Sequence, residues 1–89
     1  MVGNDFEEQA RFVLEEVVRV LHEGGSAPEH VLRVECWLAD RAHFADWNRI
    51  YAEYFPAPRP VRTTLVTGFA VAGLLIEVQV TAGIPDTTR

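Results

Sequence analysis

Arg62 and Glu77 are the two residues whose types and spacing point most directly to chemistry. The sequence around them reads as two strands, residues 62–67 and 74–82, joined through 68–73. Closed as a hairpin on that connection, the chain puts Arg62 directly opposite Glu77. That is the face which Leu74, Ile76, Val78 and Val80 do not occupy. A guanidinium presents a planar fork of donors that fits a carboxylate in bidentate geometry. A carboxylate beside it could orient or deprotonate a water next to an electrophilic carbon, and the cation would keep that carboxylate ionised. The plainer reading of the same geometry is a cross-strand ion pair worth under ~1 kcal/mol.

The elements that must position this pair follow from periodicity. Phe6, Ala10, Val13, Val17 and Leu21, with Leu14 and Val20 beside them, recur at helical spacing and predict a helix over 5–23. Asp5 and Glu8 form a capping pair at its start, and Gly24 and Gly25 suit its end. After a turn at 26–29, residues 31–38 predict a strand. Leu32, Val34, Cys36 and Leu38 take one face, and Arg33, Glu35 and Trp37 the other. Asp40 caps a second helix with apolar positions Phe44, Trp47, Ile50, Tyr51, Tyr54 and Phe55, and with Arg49 and Glu53 as surface partners. Pro56 ends it and opens a stiff, proline-rich loop. The order α-β-α-β-β predicts an α+β fold with both helices on one face of a sheet, and the polar stretch 83–89 reads as a loose tail.

Composition narrows the function classes. Eighty-nine residues make one small domain, of the size that often gains stability by association. A single cysteine allows no internal disulfide and fits a reducing cytoplasm. That cysteine, Cys36, lies on the apolar strand face and reads as a buried, inert thiol. His22, His30 and His43 have no metal-ligand spacing, so no metal is expected, and His43 reads as a surface residue. A net charge of -5 disfavours nucleic acid as a partner. The opening residues carry no secretory signal pattern, and no apolar run reaches the ~18 residues of a membrane span.

Three pieces of the chain, in order and spacing, resemble the RidA/YjgF family of reactive intermediate deaminases. The first is Val31-Leu32-Arg33-Val34-Glu35-Cys36-Trp37-Leu38-Ala39-Asp40. The second is the helix from Phe44 to Phe55, of the form F-x-x-x-N-x-x-Y-x-x-[FY]-F. The third is Pro60-Val61-Arg62-Thr63-Thr64 followed by Ile76-Glu77-Val78. The resemblance spans roughly Asp5 to Ala82. It implies a chorismate-mutase-like fold, a homotrimer with pockets at subunit interfaces, and hydrolysis of 2-imino or enamino acids to 2-keto acids and ammonia without a cofactor. On this likeness Arg62 holds the substrate carboxylate, Glu77 handles the attacking water, and Asn48 and Thr64 line the pocket. The plainer readings are a solvent-facing helix residue for Asn48 and an ordinary strand residue for Thr64. Family members carry three strands ahead of the first helix. This sequence begins just before that helix, so it is expected to be an N-terminally truncated member, and 69–72 lack the usual Leu-Pro. A non-catalytic carboxylate-binding or assembly module is the alternative, motivated by the backbone groups such a sheet would leave open. A ribonuclease-like activity fits the acidic charge least.

Overall fold

The first helix, α1 (Phe6–Glu23), is fixed at both ends by the signals that flank it. In the computed structural model, which describes residues 5–55, 57, 58 and 60–85, the Asp5 carboxylate accepts from the Glu8 N–H at 2.8 Å. At the other end Gly25 takes φ 83°, a conformation costly for any residue with a Cβ. It donates to the His22 carbonyl while Ser26 donates to that of Leu21, the paired bonds of a Schellman cap. Phe6, Ala10, Leu14 and Leu21 are the buried stripe. Val13 and Val17 flank it half-buried, and Val20 is turned outward.

A short 3-10 turn (Pro28–His30) leads into β1 (Val31–Leu38). Val34, Cys36 and Leu38 face the core as expected, but Leu32 is 64% exposed. The pairing register shifts between Val31 and Arg33, so Leu32 is the extra residue of a bulge and leaves the alternation. Asp40 caps a 3-10 turn (Arg41–His43) by accepting from the Ala42 N–H, and α2 (Phe44–Tyr54) starts after it. His43, expected at the surface, is half-buried and stacks on Phe6 with ring centroids 4.5 Å apart. Trp47, Ile50, Tyr51 and Phe55 enter the core, while Tyr54 is half-buried, its hydroxyl on Glu15. The proline expected to end this helix, Pro56, and residues 86–89 of the polar tail lie outside the described residues.

The last strands, β2 (Val61–Val66) and β3 (Ile76–Ala82), do not form the expected hairpin. The sheet order is β2-β1-β3, with β1 parallel to β2 and antiparallel to β3. The most apolar strand takes the centre and pairs on both sides. The β2–β3 connection crosses its end, where the Thr67 N–H donates to the Leu38 carbonyl and the Ala39 N–H to that of Leu75. Gln9, buried on α1, clamps that crossing. Its Nε2 donates to the Gly73 carbonyl and its Oε1 accepts from the Leu75 N–H, both at 2.9 Å. The clamp and the left-handed Gly73 (φ 83°), in the turn at 71–74, keep Leu74 and Leu75 out of the strand, so β3 begins at Ile76 rather than Leu74. Leu75 therefore joins the core margin.

Both helices pack on one face of the sheet around a single cluster that includes Leu14, Val34, Leu38, Trp47, Ile50 and Ile76. Ion pairs tie the helices together outside it. Arg11 grips the Glu53 carboxylate at 2.8 and 3.1 Å and reaches Glu7 at 3.0 Å. Because Arg11 holds Glu53, the expected Arg49–Glu53 pair stretches to 3.9 Å, and Arg49 meets Glu7 at 3.1 Å instead. Hydrogen bonds from the guanidiniums hold Glu7 and Glu53 below the usual carboxylate range. The opposite face of the sheet carries Arg33, Glu35, Trp37, Thr63, Leu65, Glu77 and Gln79. No described element covers it.

Candidate functional site

Arg62 lies in register with Val34, and Thr64 with Cys36. Residues paired across neighbouring strands project to the same side of a sheet. Arg62 and Thr64 therefore share the helix-covered face with the core residues. Glu77 is in register with Trp37, on the open face. The pair expected to meet across a hairpin thus points to opposite faces of the sheet, with β1 between their strands. The physical cause is the strand order. Inserting β1 separates the two strands, and the parallel pairing of β2 sets Arg62 against Val34 instead of a β3 residue.

What gathers around Arg62 is α2. Its Nη2 donates to Asn48 Oδ1 at 2.6 Å. Its Cζ stands 4.8 Å from the Tyr51 ring centroid and 5.7 Å from that of Phe44, within the range of cation–π attraction. The spacing of these partners is helical: Phe44, Asn48 and Tyr51 are four and three residues apart, so one stripe of α2 faces the β2 edge. Arg62 is half-buried. Among the described residues no carboxylate pairs with it, whereas Arg11, Arg19 and Arg49 all have carboxylate partners. Asn48 supplies a neutral dipole that orients the guanidinium without neutralising it. The remaining N–H groups form a fork suited to an anion.

Thr64 sits two residues further along the same face. Its hydroxyl lies 3.1 Å from Cys36 Sγ, which also accepts from Trp47 Nε1 at 3.2 Å. Cys36 is 1% exposed and is thus the buried thiol expected of it. The resemblance placed Asn48 and Arg62 at one pocket, and the structure joins the two by a hydrogen bond. Tyr51 lies in the core as read, but that it and Phe44, read only as an apolar helix position, also bound the cation was not anticipated. The signal was available: Phe44, Asn48 and Tyr51 share one helical face. Glu77 is exposed at the end of a row formed with Trp37 and Leu65 on the open face. Among the described residues no group of three or more His, Cys, Asp or Glu side chains is placed to hold a metal ion. No helix there is long and apolar enough to cross a membrane.

Comparison with known proteins gives this geometry a setting. A profile of the family described as Endoribonuclease L-PSP matches residues 1–84. A RutC family protein of Pyrococcus horikoshii is 33% identical over 82 residues, which is 92% of this chain and 65% of that protein. The chloroplastic Reactive Intermediate Deaminase A of Arabidopsis thaliana is 35% identical over 78 residues, 88% of this chain and 42% of that protein. The crystal structure of a YjgF family member from Neisseria meningitidis superposes with a TM-score of 0.91 at 29% identity, covering 96% of this chain and 72% of that one. A putative endoribonuclease L-PSP from Entamoeba histolytica gives 0.88 at 35% identity, covering 93% and 66%. The chain spans 65% and 53% of two of its curated relatives. These likenesses place the observed α+β arrangement among the YjgF-type, chorismate-mutase-like folds.

Proposed function

Because the chain belongs to the endoribonuclease L-PSP family, the RidA/YjgF proteins, we propose that it binds a small carboxylate-bearing ligand on Arg62 and acts as a hydrolytic deaminase of 2-imino or enamino acids. The observation that carries this reading is the half-buried Arg62 guanidinium, seated on Asn48 and the rings of Phe44 and Tyr51 with no carboxylate partner among the described residues. One relative carries the name Reactive Intermediate Deaminase A. In the reaction the oxygen of water bonds to the imine carbon as the C=N π pair moves to nitrogen. A carboxylate takes the proton that water loses and passes it to that nitrogen. The carbinolamine hydroxyl proton is then carried to the nitrogen, the oxygen pair closes the C=O bond, and the C–N bond breaks to release ammonia and the 2-keto acid. Water addition to an electrophilic imine needs orientation and proton transfer, so no cofactor enters.

Glu77 is the carboxylate proposed for that proton. It faces away from Arg62 in the single chain, so the reading requires that Glu77 come from a second copy, in a homotrimer or other oligomer. The open face supports this. Leu65 is 52% exposed and Val61 68%, and Glu77 borders the Leu65–Trp37 row. Covering such a row with another subunit would bury apolar surface and bring Glu77 to an interface. Thr64 would lie beside the ligand on Arg62. The proposed setting is a reducing aqueous compartment such as the cytoplasm, which the lone buried thiol fits.

The test is keto-acid formation from a 2-imino acid generated in place by an amino-acid oxidase. The protein is expected to exceed the buffer rate. Arg62→Ala should lower that gain by about 10- to 100-fold, the worth of a charge-assisted hydrogen bond. A rate equal to buffer, unchanged in Arg62→Ala, sinks the deaminase reading. The second reading, a carboxylate-binding or assembly module without turnover, is favoured by the separation of Glu77 from Arg62. It predicts ligand binding with no keto acid formed. A ribonuclease-like role is opposed by the charge of -5 and by the dispersal of His22, His30 and His43 over three elements.

A further inference from the structure

One ring beside Arg62 is left largely outside the core. Phe44 is 46% exposed, whereas Trp47 and Tyr51 on the same helix are 0% and 4% exposed. It opens α2 one turn before Asn48, and its centroid lies 5.7 Å from the Arg62 guanidinium carbon. Val66, 54% exposed, continues the face of β2 that carries Arg62 and Thr64. It pairs with Leu38, at the end of β1 from which the chain turns into α2. A cation with no carboxylate partner among the described residues is thus bounded by exposed apolar surface.

Resting on the carboxylate reading above, we infer that Phe44 sets the ligand class: monocarboxylates whose remainder is a branched aliphatic or aromatic group, held with the carboxylate on Arg62 and the apolar group against Phe44. A ligand with a second carboxylate would press that charge on a phenyl face that offers it no donor. A ligand with only a methyl group would leave the ring exposed.

Titration calorimetry of the full chain with stable 2-oxo acids tests this. 4-Methyl-2-oxopentanoate is expected to bind about tenfold or more tightly than pyruvate, from the apolar groups it buries, and 2-oxoglutarate no better than pyruvate. Phe44→Ala should bring the branched acid to within about twofold of pyruvate, whatever it does to pyruvate binding on Arg62, while Phe44→Tyr keeps the preference. Thermal melts establish that both variants are folded. Equal wild-type affinities, or a ratio of the two affinities unchanged in Phe44→Ala, overturn the role of Phe44 and leave the carboxylate reading standing. Failure of the folded wild type to bind any of the acids overturns both.

Discussion

At the scale of single residues, Arg62 contrasts with the arginines of the two helices. Arg11, Arg19 and Arg49 spend their donors on exposed glutamates along and between the helices. Such pairs stabilise little and offer nothing to a ligand. Arg62 keeps its charge against a neutral amide and two rings, where less water screens it. Glu77 has the converse position, exposed on the opposite face of the sheet. The two residues should therefore separate kinetically. Glu77→Gln preserves shape and removes the carboxylate proposed as the base. It is expected to lower kcat by about 10²- to 10⁴-fold, the usual worth of general base catalysis, with carboxylate affinity held within about twofold. A fall in affinity matching the fall in kcat would show instead that Glu77 binds ligand or holds structure.

At the scale of elements, Gln9 shows how α1 governs a part of the chain more than sixty residues away. Its amide satisfies a donor and an acceptor in the turn that precedes β3, and therefore fixes where the strand carrying Glu77 starts. Gln9→Ala leaves the Leu75 N–H and the Gly73 carbonyl without this partner. A buried polar group left unsatisfied costs about 1–3 kcal/mol, and each kcal/mol lowers Tm by about 4–8 °C in a domain of this size. Thermal unfolding should show that fall, and amide exchange should show Leu75 deprotected ahead of β1. A Tm within about 1 °C of wild type would mean that the turn holds itself.

Much at this scale was legible in the sequence. The Asp5 cap, the Gly24-Gly25 stop and the bounds of β1 follow from local signals that tertiary packing did not override. Strand order was not legible, because it depends on which strand gains most from two neighbours, and no local pattern in 68–73 distinguishes a hairpin from a crossing over β1. The Leu32 bulge escaped for a similar reason: alternation alone cannot mark the residue at which pairing slips. The site divides along the same line. Asn48 was set near Arg62 by the family resemblance alone, and the Arg62–Glu77 contact failed because it rested on the hairpin.

At the scale of the whole molecule, the separation of Arg62 from Glu77 makes a prediction independent of any substrate. One chain presents Arg62 at the edge of β2 and α2, and on its other sheet face an uncovered row ending in Glu77. If catalysis joins the two, each site takes Arg62 from one copy and Glu77 from another. Arg62→Ala and Glu77→Gln chains would then be inactive alone and complementary together. Unfolded as an equimolar mixture and refolded, they should regain about a quarter of wild-type activity, since each site of a closed ring draws its two halves at random from the two variants. Light scattering of the mixture should give the wild-type mass. No recovery at that mass would place both residues of each site on one chain, which the strand order described here does not allow. Recovery absent with a monomeric mass would favour the binding-module reading, in which the open face serves another purpose than completing a catalytic site.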